Sequence, residues 1–539
     1  YGSTVGSMGV TSGKWYWEVV VTDTSGSDVI GVVDTTFDSQ NSGSAPGSLL
    51  SKGVDSIAYY SADGSKYING TGTSYGAAYT TGDIIGVALN LDANQITFYK
   101  NNSSQGAISY TFSGGHIIAA ASDGTSTANT ATFTFNFGQD SSFALSTIDA
   151  QGNSDGNGVG DFYYAPPSGF LALCTSNLPD VAITDGSDYF NTVLWTGNET
   201  ARSITGVGFS PDWCWMKSRT DASGHRVYDT LRGATKGLSP DSVATEYTES
   251  GLTSFDADGF SLGTQVGTNG NSKNMVGWNW LAGGTPTATN SAGAGNAPTS
   301  GSVMIDGVAS TAALAGTIPA TKISANRTAG FSIITYTGNG SSSQTVAHGL
   351  SSAPEFIIHK DRDSNGNNNN WNAYHVGAGD DYGYLSTPAG FTGSAQIIPN
   401  GTDTIELKSN LITTNESGDD FLMYAFHSVE GYSKFGTFTG AGTSYFPFIY
   451  TGFRPAWIMV KRKETTGSWP ITDTARDTYN PTDKGLLADD PADEGTGYTL
   501  DHLSNGFKLR LTGTAYNASG GTYIYIAFAE QPFKFSNAR

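Results

Sequence analysis

The sequence has few charged residues and almost no cysteine. Charged side chains make up 14% of its 539 residues, well below the average of about 25%. The two cysteines, Cys174 and Cys214, are too few for a disulfide scaffold or a zinc site, so we interpret each as a small buried apolar residue. No apolar run approaches the roughly 20 residues that cross a bilayer, and we predict no membrane insertion.

Positive charge is also scarce. The chain carries 27 Lys and Arg against 48 Asp and Glu, for a net charge of −21, and no segment is strongly basic. Because a phosphate backbone is bound by clustered Lys and Arg, this balance excludes nucleic acid as a partner and disfavours adsorption to anionic lipid. No segment is typical of a signal peptide. Because the chain begins at Tyr1 instead of Met, we expect a processed chain or a part of a longer polypeptide.

Glycine and aromatic residues are abundant by contrast. The chain has 70 Gly, and aromatic residues make up 12% of it, with Ser, Thr and Asn dense throughout. The aromatic content excludes a disordered chain, and the missing heptads exclude a coiled coil. Short strands joined by tight polar turns use this composition. We therefore predict an all-β protein.

Residues 1–145 contain strand-like blocks that resemble a known domain. The blocks are Gly-Lys-Trp-Tyr-Trp-Glu at 13–18, Ile-Gly-Val at 30–32, Gly-Asp-Ile-Ile-Gly-Val at 82–87, Ile-Thr-Phe-Tyr-Lys-Asn at 96–101 and Phe-Asn-Phe-Gly at 135–138. In this order they resemble a SPRY domain. The resemblance implies a bent β-sandwich, related in architecture to lectin sandwiches, that binds partners through surface loops. Only 12 residues precede the first block, which predicts an opening strand that is missing or supplied by a partner.

Residues 146–182 have loop composition and predict a connector. Gly and Asn dominate 152–158, and an extended Pro-containing segment follows at 163–170. The run Pro-Pro-Ser-Gly-Phe-Leu-Ala-Leu-Cys at 166–174 is similar to one in SPRY-containing structural proteins of marine bacteriophages. The resemblance therefore extends beyond the SPRY-like part.

An internal repeat organises the rest of the chain. Segments 206–217, 348–360 and 450–461 each pass from a turn with Gly and Pro into an apolar strand that ends in Lys. We divide this part into three related β-sandwich-like units in an elongated string, at 183–282, 329–433 and 434–539. Residues 283–328, rich in Gly, Ala, Ser and Thr, are predicted to be a linker or an inserted hairpin. The repeat resembles an uncharacterised domain that recurs in structural proteins of marine phages.

Catalytic motifs are missing from the sequence. There is no Gly-x-Ser-x-Gly elbow and no His-Glu-x-x-His spacing, so we predict that the protein is not an enzyme and needs no cofactor. A glycan depolymerase with paired carboxylates stays open as an alternative, because Asp and Glu are numerous. We interpret the seven histidines as packed or surface side chains; they are His116, His225, His348, His359, His375, His427 and His502.

One segment resembles half of a calcium loop. Asp361, Asp363 and Asn365 precede Gly366 in the D-x-D-x-N-G pattern, in which alternating oxygens wrap one cation. The twelfth position is Asn372, so the bidentate Glu is lacking. The sequence therefore offers a weak calcium site, and the alternative is a plain polar turn.

Two acid–base pairs recur at the same spacing. Asp229 and Arg232 match Asp473 and Arg476 in another unit. We interpret each as a local ion pair that pins a turn, worth at most about 1 kcal/mol if it is exposed.

Tyrosines are concentrated in one short stretch of the SPRY-like part. Tyrosine with Ser, Gly and Asn is typical of adaptable binding loops, because flat amphipathic rings alternate with small hydrogen-bonding groups. The alternative is that each ring packs at a strand end with its hydroxyl in water. The candidate ligand-binding residues are Tyr59, Tyr60, Tyr67, Asn69, Tyr75 and Tyr79.

These observations together favour a structural protein of a virion. The resemblance implies an extracellular tail fibre or similar appendage that displays its SPRY-like domain for attachment to a host-surface glycan or protein. Phage fibres are commonly trimers, so we expect a homo-oligomer that contacts other virion proteins. A capsid decoration or head-fibre protein is the alternative.

Overall fold

The computed structural model describes residues 2–24, 26–34, 55–113, 115–123, 131–144, 148–363, 369–408, 412–442, 447–511 and 513–536. The chain divides into two compact units, Tyr1–Asp180 and Val181–Arg539. Both consist mainly of antiparallel strand pairs joined by tight turns, so the predicted all-β fold is confirmed. No helix in the described ranges has the length and apolarity needed to cross a bilayer.

The first unit is a two-sheet sandwich. Its strands are β1 (Gly2–Val10), β2 (Lys14–Asp23), β3 (Asp28–Asp34), β4 (Ser56–Tyr60), β5 (Lys66–Ile68), β6 (Thr71–Thr73), β7 (Ile84–Asn90), β8 (Gln95–Lys100), β9 (Ser103–Ser109), β10 (Ile117–Asp123), β11 (Thr132–Asn136) and β12 (Leu171–Ala172). The first sheet has the order β1-β10-β3-β4-β5-β6, and the second has the order β11-β2-β7-β8-β9. Strand β1 lies ahead of the Gly13–Glu18 block and pairs with β10, so the expectation of a missing opening strand is wrong.

The core of this sandwich follows the period of two. Trp15, Trp17, Val19 and Val21 of β2 all face the first sheet and are buried there. Ile30 and Ile57 are among the residues that meet them from the first sheet. Alternation along each strand therefore places one apolar row in the core, as the sequence pattern predicts.

The other face of β2 is covered by a segment that we call the strap, residues 148–174. Phe162 packs against the ring of Tyr16, with 5.2 Å between the ring centroids, and β12 pairs with β2 in parallel. Glu18 is fully buried between them and accepts hydrogen bonds from the backbone N–H groups of Tyr163 (2.9 Å) and Tyr164 (2.7 Å). The predicted connector is thus part of the first unit up to residue 180, because β2 has a second apolar face that needs cover.

The second unit begins with a repeat, repeat 1, that contains a long sheet and a short sheet. Its elements are β13 (Phe190–Thr196), β14 (Arg202–Thr205), β15 (Trp213–Ser218), β16 (Arg226–Asp229), β17 (Lys236–Gly237), β18 (Tyr247–Thr248), β19 (Leu252–Asp256), β20 (Gly259–Leu262), α1 (Val266–Asn269) and β21 (Asn274–Trp280). The long sheet has the order β13-β21-β15-β16, and the short sheet has the order β14-β20-β19.

Repeat 2 has the same plan, but its long sheet has eight strands instead of four. Its elements are β22 (Val303–Ile305), β23 (Val308–Ala309), β24 (Ala320–Asn326), β25 (Phe331–Thr337), β26 (Gln344–Ala347), β27 (Phe356–Asp361), β28 (Asn372–His375), β29 (Gly383–Tyr384), β30 (Ile397–Asn400), β31 (Thr404–Leu407), α2 (Ile412–Asn415) and β32 (Asp420–Phe426). The long sheet has the order β23-β22-β24-β25-β32-β27-β28-β29, and the short sheet has the order β26-β31-β30. Within the predicted linker 283–328, β24 pairs with β25 and Ile323 is buried in the repeat 2 core. That stretch therefore extends this sheet and contains the β22–β23 hairpin, so the linker alternative is wrong and the hairpin alternative is confirmed for 303–309.

Repeat 3 completes the series. Its elements are β33 (Ser433–Thr439), β34 (Phe448–Tyr450), β35 (Phe453–Arg462), β36 (Pro470–Asp473), β37 (Leu486–Leu487), β38 (Leu500–Leu503), β39 (Gly506–Leu509), α3 (Thr514–Asn517) and β40 (Thr522–Pro532). The sheets are β33-β40-β35-β36-β37 and β34-β39-β38. Single 3-10 turns lie at Gly186–Asp188, Val376–Ala378 and Phe533–Phe535.

A buried asparagine ends the short helix of every repeat. Asn269, Asn415 and Asn517 each donate from the side-chain amide to backbone carbonyls. Their side-chain oxygens accept from the N–H groups of residues 198, 339 and 441, with distances of 3.1, 3.0 and 2.7 Å. Each asparagine thus ties its short helix to the loop that follows β13, β25 or β33 in the same repeat.

The long sheets of the three repeats share one aromatic core. Equivalent positions are Trp280 of repeat 1, Phe426 of repeat 2 and Phe528 of repeat 3, at the same place on their last strands. The centroid of Phe528 lies 5.6 Å from that of Trp280 and 5.8 Å from that of Phe426. Because each long sheet buries one face here and the other against its own short sheet, the repeats form one compact unit and not the elongated string that the sequence predicts.

Polar contacts between repeats close into a ring. Trp278 of repeat 1 donates to Asp473 of repeat 3 (3.0 Å), and Tyr424 of repeat 2 donates to Asp229 of repeat 1 (2.8 Å). In the third contact, His375 of repeat 2 is 3.2 Å from the carbonyl oxygen of Tyr525 in repeat 3. Each repeat thus makes a polar contact with both of the others.

The recurrent Asp–Arg ion pairs form as predicted, and they stand at these junctions, buried instead of exposed. Asp229–Arg232 (2.6 Å) and Asp473–Arg476 (2.5 Å) have fully buried side chains. Each arginine also contacts a second carboxylate, of Glu246 or of Glu494. Burial makes the loss of one partner far more damaging than at a surface.

The lysine near the end of β15, of β27 and of β35 is buried as well. The ammonium groups of Lys217, Lys360 and Lys461 contact backbone carbonyls. For Lys461, one carbonyl belongs to Pro388 of repeat 2, at 2.8 Å. Burial lowers the pKa of all three ammonium groups to about 8. The repeated lysine in the sequence is therefore a structural cap.

Candidate binding surface

Two of the six candidate ligand-binding residues lie in the sandwich core. Tyr59 is 0% exposed and Tyr79 is 4% exposed. Their ring centroids are 5.0 Å apart, and Tyr59 also contacts Phe98 of β8 at 5.3 Å. The hydroxyl of Tyr79 donates to backbone carbonyls, and burial raises its pKa well above the ordinary value. These two rings pack the core, which corrects their assignment to a binding surface.

Tyr75 and Asn69 hold the backbone around them. Tyr75 packs edge-on against Tyr59, and its hydroxyl donates to the carbonyl of Gly106 at 2.5 Å. Burial raises the pKa of Tyr75 to about 12. Asn69 has a φ of 49°, in the left-handed region that asparagine tolerates. Its side chain accepts from the N–H of Ser56 and donates to the hydroxyl of Tyr110, so both residues are already engaged.

Tyr60 and Tyr67 differ from the other four because they stand on the outer face of the first sheet. Both are partly exposed, and their rings meet edge to face with centroids 5.6 Å apart. The hydroxyl of Tyr60 donates to Ser27 at 3.3 Å. The ring of Tyr67 crosses Gly72, where a Cβ would lie 2.8 Å from the ring. The two rings therefore present an aromatic surface, and their contacts with Ser27 and Gly72 hold them in place.

The pair rests on an apolar layer and adjoins a neutral edge. Val29, Val33 and Ala58 are among the buried residues beneath the two rings. Beside them, the edge strand β6 is exposed along its whole length and carries only Thr and Gly. The exposed surface here combines aromatic rings with small hydroxyl groups, which suits contact with a polar partner. It also carries charge, since burial, Tyr60 and the nearby Asp63 carboxylate together raise the pKa of Tyr67.

The calcium candidate is only partly described. Asp361 accepts a hydrogen bond from the N–H of Asp363 (2.8 Å), and Asp363 accepts one from the N–H of Asp420 (2.6 Å). Burial raises the pKa of Asp361 to about 6. Asn365 lies outside the described residues. Across the described ranges, no three His, Cys, Asp or Glu side chains converge as metal ligands do, and the calcium site stays a prediction.

The histidines are packed side chains, as predicted. All but His116 are buried. His225 accepts from the indole N–H of Trp215 at 2.8 Å, and His375 accepts from the N–H of Gly377 at 3.0 Å. Burial lowers the pKa of His225 to about 3 and that of His375 to about 4. Because these rings are neutral and accept hydrogen bonds from fixed donors, their role is structural.

Sequence reasoning missed two residues that matter for the structure. Glu18 fastens the strap to β2, yet in the sequence it is one acidic residue inside an aromatic block. Thr472 lines a cavity in repeat 3. Its signal was present in the alignment of the repeats, where Thr472-Asp473 matches Tyr228-Asp229 with a much smaller side chain.

The family model of the SPRY domain matches residues 14–140, so the first unit contains a SPRY domain. Among solved structures, a human SPRY domain is 24% identical, with 24% of this chain and 82% of that chain covered and a TM-score of 0.20. The SPRY domain of human HERC1 is 21% identical, with coverages of 25% and 80% and a TM-score of 0.22. No curated protein matches the chain.

A second family model matches most of the second unit. The domain of unknown function DUF7483 matches residues 185–305 and again residues 305–532. The first match spans repeat 1, and the second spans repeats 2 and 3. Together the two matches account for more than half of the chain, which therefore belongs to the DUF7483 family and carries an N-terminal SPRY domain.

Proposed function

We propose that the protein is a non-enzymatic structural protein of a virion, in a tail fibre or similar appendage, which presents its SPRY domain for attachment to a host-surface glycan or protein. The observation that carries the proposal is the Tyr60–Tyr67 pair beside the uncharged strand β6. Flat aromatic faces next to small hydroxyl groups bind sugars and polar protein surfaces with little loss of side-chain freedom.

The second unit supports this proposal as a scaffold. Its three repeats share one aromatic core and bury two Asp–Arg pairs at their junctions. A unit of this kind holds an attached domain without chemistry of its own. The resemblance of the repeats to a domain of phage structural proteins supplies the virion context, and a homo-oligomer is part of the proposal.

The experiment compares surface variants of the full chain. The double variant Tyr60→Ser with Tyr67→Ser removes the exposed rings, and Tyr479→Ser removes a tyrosine that is 78% exposed in the other unit. We expect labelled wild-type protein and the Tyr479 variant to bind bacterial cells and a glycan array, and the double variant to lose at least about tenfold in affinity. Equal binding by all three proteins would refute the role of the pair.

Localisation tests the virion assignment separately. An antibody raised against the chain should label the tail or fibres of a particle whose genome encodes it. Labelling of the capsid shell would favour the decoration protein instead, and release of reducing sugar ends from host polysaccharide would favour a depolymerase. Absence of the chain from purified particles contradicts the virion assignment as a whole.

A further inference from the structure

The three long sheets differ in what lies beside their first strands. These strands are β13, β25 and β33, and each pairs with the last strand of its own repeat from the same starting point, opposite Trp280, Phe426 or Phe528. In this alignment Leu194 of β13 is equivalent to Thr335 of β25 and to Thr437 of β33. The surroundings of these three residues show how each edge is covered.

In repeat 2 the chain covers the edge with a strand of its own. Strand β24 pairs with β25 in antiparallel, with Lys322 opposite Thr335. Thr335 is 4% exposed, and its hydroxyl shares a hydrogen bond of 2.8 Å with that of Thr321. Lys322 also donates to the carbonyl of Leu231 in repeat 1, at 2.9 Å. The space beside this first strand therefore accommodates an added antiparallel strand.

In repeat 3 the edge is covered by shorter contacts. The backbone groups of Ser433 exchange hydrogen bonds with those of Val429, and the N–H of Phe435 donates to a serine hydroxyl. Farther along, Thr437 lies against Gly377 of repeat 2, where a Cβ would be 2.1 Å from the Thr437 methyl group. A preceding segment and a turn of the neighbouring repeat thus occupy this edge.

In repeat 1 the outer edge of β13 is open. The carbonyl of Tyr189 accepts from the N–H of Leu281, and the register continues from there without a shift, so the odd-numbered residues of β13 bond to β21. The N–H and C=O groups of the even-numbered residues therefore point outward. Those of Leu194 have no hydrogen-bond partner in the part of the chain that the structure describes. Leu194 is 42% exposed.

The composition of β13 does not protect this edge. Edge strands are normally kept from pairing with other chains by charged side chains, proline or a bulge. The strand reads Phe-Asn-Thr-Val-Leu-Trp-Thr and has neither charge nor proline. A regular, neutral edge with an exposed leucine is typical of a strand that is covered in an assembly.

The outward groups of β13 are complementary to those of a second β13. Two of them are already bonded, since the N–H of Thr192 donates to the side chain of Asn191 (2.8 Å) and the C=O of Thr196 accepts from Arg202 (3.0 Å). The C=O of Thr192, the N–H of Thr196 and both groups of Leu194 are left. If two β13 strands pair in antiparallel with Leu194 opposite Leu194, Thr192 lies opposite Thr196. Every remaining group then has a partner, and the two bonded groups face each other.

We propose that β13 is a homodimer interface, in which it pairs in antiparallel with β13 of a second copy about a twofold axis at Leu194. Four backbone hydrogen bonds cross this axis, and the two long sheets of repeat 1 join into one sheet of eight strands. Identical strands pair here without repulsion because they are uncharged. This contact specifies the homo-oligomer of the proposed function. It does not involve the Tyr60–Tyr67 pair, so the two proposals can fail separately.

Sedimentation velocity of the full chain from about 1 to 100 µM tests the dimer. We expect a reversible monomer–dimer equilibrium with a micromolar Kd, because one strand edge is a small interface. Leu194→Lys places two ammonium groups opposite each other and should weaken the dimer by about tenfold or more. The control Val308→Lys changes a residue that is 68% exposed on the edge strand β23, and it should dimerise like wild type. A wild-type chain that stays monomeric overturns the interface, as does a dimer that Leu194→Lys leaves unchanged.

Disulfide cross-linking tests the register. In the proposed pairing the two Cα atoms at position 194 are about 5.5 Å apart, within the roughly 4.4–6.8 Å that a disulfide spans. In a Cys174→Ser background, which removes the partly exposed native thiol, we expect Leu194→Cys to form a cross-linked dimer under mild oxidation. Thr192→Cys should not, because the two residues at 192 are offset by four positions, about 13 Å. Cross-linking by neither variant, or equally by both, overturns the pairing.

The same variants separate other occupants of the edge. If β13 receives a strand of a different protein, Leu194→Lys weakens that complex while the wild-type chain stays monomeric by itself, and this result overturns the homodimer. Near-ultraviolet circular dichroism checks that Leu194→Lys is folded. Should it not fold, the cross-linking of Leu194→Cys decides.

Discussion

Acidification should unfold the second unit before the first. Five histidines in the second unit are buried with pKa values lowered to about 3 or 4: His225, His348, His359, His375 and His502. In the unfolded chain the same groups titrate near 6.5. The unfolded state therefore binds more protons between these values, and stability falls as the pH falls through this window.

The hydrogen bonds explain why these rings stay neutral. In His225 and His375, Nδ1 accepts from a fixed N–H donor while Nε2 faces a backbone carbonyl. In His359, Nε2 faces the hydroxyl of Tyr336, which itself donates to the carbonyl of Thr414. Protonation of Nδ1 in His225 would set two N–H groups against each other, so the charged ring has no acceptor in place.

The magnitude follows from the pKa shifts. By pH 4 each histidine lowers the free energy of unfolding by roughly 3 kcal/mol, since one pKa unit corresponds to 1.36 kcal/mol. Burial raises the pKa of Asp212, Asp241 and Asp361 to about 6, which acts in the opposite direction below pH 6. The net loss is on the order of 10 kcal/mol, comparable to the whole stability of a typical domain at about 5–15 kcal/mol.

The assay uses tryptophan as the reporter. Eight of the ten tryptophans lie in residues 181–539, and the sole histidine of residues 1–180 is His116. We expect near-ultraviolet circular dichroism and calorimetry to show that the Tm of the second unit decreases between pH 6.5 and pH 4. The Tm of the first unit should change little over the same range. A second unit that stays folded with an unchanged Tm at pH 4 refutes the reasoning.

A matched pair of variants isolates the cause. Gln at position 375 can accept from the Gly377 N–H and donate to the Tyr525 carbonyl but does not titrate. We expect His375→Gln to lower the acid midpoint and to recover roughly 3 kcal/mol at pH 4 relative to pH 7, whereas His116→Gln should leave the midpoint unchanged. Identical midpoints in both variants would contradict the assignment.

Three further predictions follow from buried groups. Asp473→Ala leaves the Arg476 guanidinium buried beside a single carboxylate, so urea denaturation should show a loss of about 3–5 kcal/mol; a loss below about 1 kcal/mol would place the pair at a surface. Glu18→Ala removes the acceptor of two backbone N–H groups of the strap, at about 1–3 kcal/mol each, so hydrogen exchange and proteolysis should increase in the strap and leave the second unit unchanged. At Gly31 a Cβ would lie 2.0 Å from a backbone carbonyl of β4. Gly31→Ala should therefore lower the stability of the first unit by about 3 kcal/mol, as measured by calorimetry. The control Gly156→Ala should match wild type, because a Cβ there would have no atom within 4 Å.

Local sequence patterns predict one buried face of a strand well, but they do not predict burial that is caused by distant segments of the chain. The alternation of β2 predicts its core face, but Tyr16, Glu18 and Val20 on the opposite face are covered by a loop-like segment of Gly, Asn and Pro. Nothing in that composition indicates that it packs on a sheet. The linker alternative for 283–328 is wrong for the same reason, since the strands there carry small and polar residues beside a few apolar ones.

The tyrosine set shows a related limit. Tyr59 and Tyr60 are adjacent in the chain and identical in type, yet one is buried in the core and the other lies on the outer face. A strand sends successive side chains to opposite faces, so half of such a cluster has to point inward. Which half does so depends on the register of β4 against β3, which is a tertiary property.

The sequence by itself determined the all-β class, the SPRY domain and the threefold internal repeat. These features depend on period-two alternation, turn residues and recurring motifs, which are local and can be recognised in the sequence alone. The tertiary structure alone decided that the repeats share one aromatic core and that their Asp–Arg pairs and lysines are buried. It also decided that a small cavity lies beside Thr472 in repeat 3, at the place where the ring of Tyr228 packs in repeat 1. Burial depends on what the other repeats place against a residue, and that is settled only when chain segments hundreds of residues apart come together.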